Sequence, residues 1–246
     1  MRRCEVLDWV LRQNFQDEID IADQVDTIFA MDDRVSKSFR KEIYPEYKLQ
    51  RAFCPKSYQI QPIKDYIFNV IFKELDVENS YGYRMVKVDN AEGDDIIACI
   101  MNKLNGYMLK VLFASDKDFL QIDGIRQFDL KGKEVKRIIA DEELSAKDFL
   151  LVKLLLGDGS DNIPKVFDGV GPKKVLKLIH DKDLLKKKLK ENQNSVKQYK
   201  LNEQLISFAK IPTNLKDTIL EKVNEAVFEF NKAKESDIDL SEFMEL

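Results

Sequence analysis

The chain has 246 residues, 44% hydrophobic and 10% aromatic, with 9 Gly and 6 Pro; this length allows one large domain or a domain with an appendage, and this composition excludes collagen-like, low-complexity and wholly disordered chains. Its formal charge of −4 conceals a segregation, since residues 34–56 hold +5, residues 173–200 hold +7 and the remainder holds −16. An acidic total therefore does not exclude a polyanionic partner, because local basic patches set the field that such a partner meets, although one Lys-rich block alone reads as a solvated helix face.

Val6, Leu7, Val10 and Leu11 predict a helix over residues 4–15. Residues 25–31 read as a short strand ending at Asp32-Asp33. The basic stretch 34–56 lacks apolar periodicity and reads as an irregular excursion. Ile63, Ile67, Val70, Ile71 and Leu75 predict an amphipathic helix from about Ser57 to Leu75. Tyr83 to Val88 alternates as a strand does, and residues 91–104 carry Ile96, Ile97, Ile100, Met101 and Leu104 at helical spacing. Met108 to Ala114 is nearly all apolar, as a buried parallel strand requires, and a further strand is expected at 125–130. Ser145-Ala146-Lys147-Asp148 is a capping-box pattern ahead of a helix over 149–156. From Pro172 onward only helices are expected, with breaks near Asn192–Asn194 and Ile211–Asn214. Strand–helix alternation followed by helices predicts an α/β fold with a mainly parallel central sheet, then a helical portion.

No apolar run approaches the roughly 18 residues of a membrane span, and Glu5, Asp8 and Arg12 break the first apolar stretch, so no membrane association and no secretory signal are expected. Three scattered Cys (Cys4, Cys54, Cys99) make neither a disulfide framework nor a zinc site, which fits a reduced, cytoplasmic setting. A single His, His180, argues against a histidine base or a His-rich metal site.

Chemistry concentrates in four acidic clusters: Asp32 with Asp33; Glu92, Asp94 and Asp95; Asp116 and Asp118; Asp158 and Asp161. Three of them lie where the chain leaves an expected strand end, which is where ligands sit in open α/β sheets. Acids at a helix start are often only caps favoured by the helix dipole, and any one cluster alone would be read that way. Clusters brought together would repel one another and raise their pKa values unless a cation intervened. With no His or Cys nearby, that cation is a hard, oxygen-loving one, Mg²⁺ or Mn²⁺. All-carboxylate sites for two such ions suit phosphoryl transfer, and the basic blocks then serve as contacts to a phosphate backbone.

Five segments carry a more specific pattern: Ala91-Glu92-Gly93-Asp94-Asp95, Ser115-Asp116-Lys117-Asp118-Phe119-Leu120-Gln121, Gly157-Asp158-Gly159-Ser160-Asp161-Asn162-Ile163-Pro164, Gly169-Val170-Gly171-Pro172-Lys173-Lys174, and Phe39-Arg40-Lys41-Glu42-Ile43-Tyr44-Pro45-Glu46-Tyr47-Lys48 with Arg51. In this order they resemble the 5′-nucleases, the flap endonucleases and 5′→3′ exonucleases, and above all the bacteriophage members and the bacterial polymerase-associated domain. The resemblance covers about residues 25–220. It implies a PIN-like 5′-nuclease core over 1–156, with a basic arch at about 34–56, and a helical DNA-binding portion over 157–246 built on a helix–hairpin–helix motif. It assigns Asp32, Glu92, Asp94 and Asp95 mainly to a first metal, and Asp116, Asp118, Asp158 and Asp161 mainly to a second. It assigns Lys48 and Arg51 to the scissile phosphate, and Arg40, Lys41 and Tyr44 to nucleic-acid contacts along the arch. Gly169, Gly171, Lys173 and Lys174 would grip the duplex backbone, with a K⁺ ion at the hairpin. The implied activity is Mg²⁺-dependent hydrolysis of phosphodiester bonds at 5′ ends and flaps of DNA or RNA–DNA hybrids during replication, by a monomer in the cytoplasm, of the host cell if the chain is of phage origin, alongside replication proteins.

The sequence departs from the family pattern in places. Gly93 replaces the usual Ala, Asp33 replaces a usual Gly and reads as a spare ligand or an exposed residue, Lys165 replaces a usual Gly, and one extra residue precedes Gly169. The family also opens with a strand carrying an Asp upstream of the Asp32 equivalent, whereas the stretch before Asp32 begins here as a helix, and Asp8 within it does not read as the substitute. The expectation is a chain that begins after that strand or receives it from a separate N-terminal fragment. The alternative activity is then a catalytically impaired nucleic-acid-binding protein of the same fold.

Overall fold

The computed structural model describes residues 27–33, 38–53, 62–63, 66–71, 83–103 and 110–236. The helix expected over 4–15, Asp8 and most of the helix expected over 57–75 lie outside them; of the latter, Ile67–Ile71 form one π-helical turn.

Strand β1 (Thr27–Met31) pairs in parallel with β2 (Tyr83–Lys87), Thr27 opposite Tyr83 and Met31 opposite Lys87. Strand β3 (Val111–Phe113) pairs in parallel with β4 (Arg126–Phe128), Leu112 opposite Gln127. The parallel pairing is as expected, but among the described residues it comes as two separate ladders rather than one sheet. A short antiparallel hairpin, β5 (Ile138–Ile139) and β6 (Glu142–Glu143), was not foreseen. Its two turn residues, Ala140 and Asp141, have φ of 48° and 70°, the backbone that a two-residue hairpin turn demands.

The stretch expected to be irregular contains helix α1 (Phe39–Ile43) and a 3-10 turn over Leu49–Phe53. Helix α2 (Gly93–Lys103) follows β2, with Asp94 and Asp95 in its first turn and Lys103 in its last, the charge order that the helix dipole favours. Helix α3 (Ala146–Leu156) starts at the predicted Ser145 cap, whose hydroxyl accepts from the Asp148 N–H at 3.1 Å. The rest is helical, as expected: α4 (Pro172–His180), α5 (Lys182–Lys190), α6 (Gln193–Ile206) and α7 (Thr213–Ser236). Among the described residues no helix is long and apolar enough to cross a membrane.

Among the described residues three hydrophobic clusters surround the site, the smallest joining Tyr47, Leu154, Ile163, Leu205 and Ile206. The first joins Val86, Leu112 and the inner face of α2 (Ile96, Ala98, Cys99) to Phe119, Phe208 and the Ile219 and Val223 side chains of α7. The second joins Leu120, Phe149, Val152 and Leu155 to Val166, Val175, Ile179 and Leu185. This second core crosses the boundary expected after residue 156, because α3 packs against α4 on its far side.

Gly157 ends α3 with φ 65° and ψ −165°. A Cβ there would sit well inside contact distance of the Ile163 and Pro164 carbonyl oxygens, which are backbone atoms and cannot turn away. Gly157→Ala is expected to cost about 3 kcal/mol or more in a urea titration and to displace Asp158, which follows directly.

Candidate active site

Asp32 leaves the end of β1, and its Oδ1 accepts from the Gly93 N–H at 2.7 Å, which ties it to the start of α2. A Cβ on residue 93 would meet that same oxygen at 3.1 Å and the Ala30 carbonyl at 3.3 Å, so glycine permits the close approach. Asp94 sits one residue further on. Asp116 and Asp118 follow β3, where the Asp116 carboxylate caps the Asp118 N–H at 2.9 Å and starts the 3-10 turn Lys117–Gln121. Asp158 caps the turn Gly159–Asp161 through Ser160, and Asp161 closes it.

The 46–51 segment is laced onto this last turn. The Lys48 N–H donates to the Asp161 carbonyl at 2.9 Å, Gln50 Nε2 to the Ser160 carbonyl at 2.7 Å, and Asn162 Nδ2 to the Glu46 carbonyl at 2.9 Å. Lys48 has φ 53°, a left-handed conformation rare for a long side chain and typical of functional sites. Its ammonium is buried against Glu92.

The result is one cavity of about 400 Å³, lined by Asp32, Glu92, Asp94, Asp116, Asp118, Asp158 and Asp161 with Lys48, Arg51, Lys117 and Lys153. Seven carboxylates against four cationic side chains leave a formal charge of −3. The four clusters thus share one cavity, as expected. They do not converge as tightly as expected: among the described residues no three acids are grouped closely enough to hold a metal ion as they stand. Ammonium groups stand between them instead. Lys48 pairs with Glu92 and lies 3.8 Å from Asp161. Lys153 bridges Asp118 at 2.6 Å and Asp158 at 2.7 Å.

The titration behaviour follows. Burial pushes Asp94 up, and neighbouring Asp116, Asp32 and Glu92 add to it against Lys48, reaching about 7. Asp118 is raised by burial despite Lys153, and Asp161 by burial despite Lys48 and Arg51. Burial acts against the Glu92 carboxylate, but Lys48 and Arg40 outweigh it and hold its pKa low; Asp158 is likewise held low by Lys153 and Ser160 against burial. Because Asp94 keeps its proton longer when folded than when unfolded, it makes stability fall as pH rises from about 4 to 7 and level off above. In chelator, the thermal midpoint is expected to drop between pH 5 and pH 8, and Asp94→Asn to remove most of that slope.

Three expected residues are placed differently. Asp95 is fully buried and does not line the cavity; both its oxygens take the Arg40 guanidinium, at 2.7 and 3.0 Å. Arg40, expected on nucleic acid, is buried to match, and its Nε donates to the Leu205 carbonyl at 2.8 Å. A guanidinium so enclosed cannot reach a phosphate backbone. Asp33 is neither exposed nor in the cavity: its Oδ2 accepts from the Asn90 N–H at 3.1 Å and braces the turn before Ala91.

The other positions stand at the surface. Arg51 is half exposed and pairs with Asp161 at 2.5 Å. Lys41 Nζ donates to the Pro45 carbonyl at 3.3 Å and the Tyr44 hydroxyl to Glu46 at 3.0 Å. Gly169 has φ 66°, Gly171 precedes α4 as its N-cap, and Lys173 and Lys174 are exposed on that helix. Two partners of the cavity acids were given no role from the sequence. Lys153 falls on an apolar helix without any motif, and Tyr47, inside a motif, offers its hydroxyl to Glu92 and Asp161, each at 3.3 Å.

Comparison with known proteins gives this geometry a context. Residues 12–148 match the family model described as "5'-3' exonuclease, N-terminal resolvase-like domain". The chain is 34% identical over 142 residues to the 5′-3′ exonuclease of Buchnera aphidicola (subspecies Schizaphis graminum), covering 54% of this chain and 46% of that protein. It is 30% identical over 184 residues to the thermostable DNA polymerase I of Thermus thermophilus, covering 72% of this chain and 21% of that protein. The chain thus spans less than half the length of either relative. The fold matches that of the T5 D15 protein co-crystallised with metal ions, with a TM-score of 0.63, 17% identity and coverage of 90% of this chain and 89% of that one. It also matches bacteriophage T5 D15 flap endonuclease in a pseudo-enzyme–product complex with DNA and metal ions, with a TM-score of 0.59, 19% identity and 91% coverage of both chains. With its N-terminal match running over more than half of its length, the chain belongs to the 5′-3′ exonuclease family.

Proposed function

We propose that the chain is a divalent-metal-dependent nuclease that hydrolyses phosphodiester bonds at 5′ ends and 5′ flaps of DNA. The observation that carries this reading is the single acidic cavity in which seven carboxylates, without His or Cys, face Lys48 and Arg51. The donor set fits Mg²⁺ or Mn²⁺ by its chemistry, and a cation there would relieve the repulsion that Asp116, Asp32 and Glu92 add to the burial that lifts Asp94 to about 7. Asp32, Glu92 and Asp94 would hold one ion, and Asp116, Asp118, Asp158 and Asp161 a second. Such ions, when bound, activate water and neutralise charge on the attacked phosphate.

The chain's own residues supply the rest. Lys48, buried against Glu92, and Arg51, half exposed, line the cavity from the 46–51 segment and would neutralise a phosphate bound there. Tyr47 keeps its proton, because burial and Glu92 raise its pKa, so it remains a donor to the acids beside it. The Gly169–Lys174 turn and the lysines of α4 and α5 form the surface on which a duplex backbone would lie, with a K⁺ ion at the turn. Lys173→Ala with Lys174→Ala is expected to flatten the slope of log K against log salt by about 0.9 for each phosphate no longer neutralised, measured by fluorescence anisotropy on a duplex. DNA at replication intermediates in the cytoplasm is the proposed target, with RNA–DNA hybrids as a second substrate.

A polarity assay tests the reading. A duplex with a labelled 5′ flap and one with a labelled 3′ flap are incubated with the chain and Mg²⁺. Cleavage confined to the 5′ flap supports it, and equal cleavage of both, or none, overturns it.

A further inference from the structure

The loop that carries Asp116 and Asp118 is held at both ends by glutamine amides. Gln127, on β4, is 2% exposed, and its Nε2 donates to the Ala114 carbonyl at 2.7 Å and the Asp116 carbonyl at 2.6 Å. Gln121 ends the same loop. Its Nε2 donates to the Asp118 carbonyl at 3.0 Å and the Ile206 carbonyl at 3.1 Å, and its Oε1 accepts from the Phe208 N–H at 3.0 Å. Between them, the Asp116 carboxylate holds the Asp118 N–H. The backbone carbonyls of residues 114, 116 and 118 thus all end on one of these two amides.

The C-terminal end of α6 is the far anchor. The last carbonyls of a helix lack partners within it; here the Ile206 carbonyl takes Gln121, and the Leu205 carbonyl takes Arg40. Phe208 also stacks on Phe119 at 5.9 Å between ring centres.

One detail separates a positioning role from packing. The Oε1 of Gln127 is buried and, among the described residues, has no hydrogen-bond partner. A side chain kept only to fill space would not leave a polar atom unpaired at that cost. What Gln127 provides is its two N–H donors, and both are spent on the Asp116 loop.

We propose that Gln127, with Gln121, is a positioning residue that sets the Asp116–Asp118 pair for divalent-cation binding, acting through the backbone carbonyls of residues 114, 116 and 118. This rests on the reading of the cavity as a metal site. Gln127→Met is the informative variant, since it keeps the volume, removes both donors and also removes the unpaired oxygen. Partial compensation of stability is therefore expected while the loop loses its hold.

The test uses the whole chain, with Mn²⁺ binding followed by calorimetry and folding by thermal denaturation. Gln127→Met should keep a cooperative transition and lose about tenfold or more in Mn²⁺ affinity, while metal-free affinity for a DNA duplex stays at the parent value. Gln121→Glu, which keeps an acceptor for Phe208 but loses both donors, should weaken Mn²⁺ binding likewise and decides the matter if Gln127→Met does not fold. Parent-like Mn²⁺ affinity in the folded variant overturns this proposal alone. A parent chain that binds no Mn²⁺ overturns both this proposal and the metal-site reading beneath it.

Discussion

Asp118→Asn is expected to lower the rate of 5′-flap cleavage by about 10²–10³-fold or more, since it removes charge that stabilises the transition state, while DNA affinity in chelator changes little. Asparagine keeps the size of the side chain, and Lys153 retains Asp158 as a partner at 2.7 Å, so the local fold should persist. Single-turnover cleavage alongside anisotropy separates the two effects. Cleavage near the parent rate would mean that the cavity is not where the chemistry happens.

Arg40→Met carries the largest expected effect on stability, about 3–5 kcal/mol. It strands the fully buried Asp95 carboxylate without its bidentate partner and leaves the Leu205 carbonyl unpaired. Replacing the pair together, Arg40→Met with Asp95→Leu, should recover much of that loss, because two charges no longer need to be kept out of water. Urea titration of the three proteins measures this. Affinity for DNA in the folded variant should match that of the parent, in keeping with a guanidinium that faces inward. A salt-sensitive loss of binding with unchanged stability would restore Arg40 to the DNA surface.

The strands and helices that flank the cavity were legible because their patterns are local. Alternation marked β2, the spacing of Ile96, Ile97, Ile100 and Met101 marked α2, and Ser145 marked the start of α3. The acidic clusters were legible as well, since each follows a strand end or a helix end. Which acids face the cavity was not. Asp94 and Asp95 are neighbours on one helix, and what sets Asp95 apart is its pairing with Arg40, 55 residues away in sequence. The basic stretch likewise owes its order to distant partners: Lys48, Gln50 and Asn162 stitch segments 110 or more residues apart, and no local periodicity reports such pairing. Lys153 was hidden for a similar reason. Among the leucines of α3 it reads as one polar residue on a helix, and its two carboxylate partners come from different loops.

Lys48 and Lys153 stand among the seven carboxylates of the cavity. Each ammonium offsets part of the repulsion, and the remaining charge of −3 is what a divalent ion would meet. The central claim is therefore that cleavage needs such an ion. Its most direct test is the rate of 5′-flap cleavage by the parent chain across a titration of Mg²⁺ into chelator-treated protein. The account predicts no cleavage in chelator and a rate that rises and saturates with Mg²⁺, with Mn²⁺ able to substitute; cleavage at the same rate with and without chelator would contradict it.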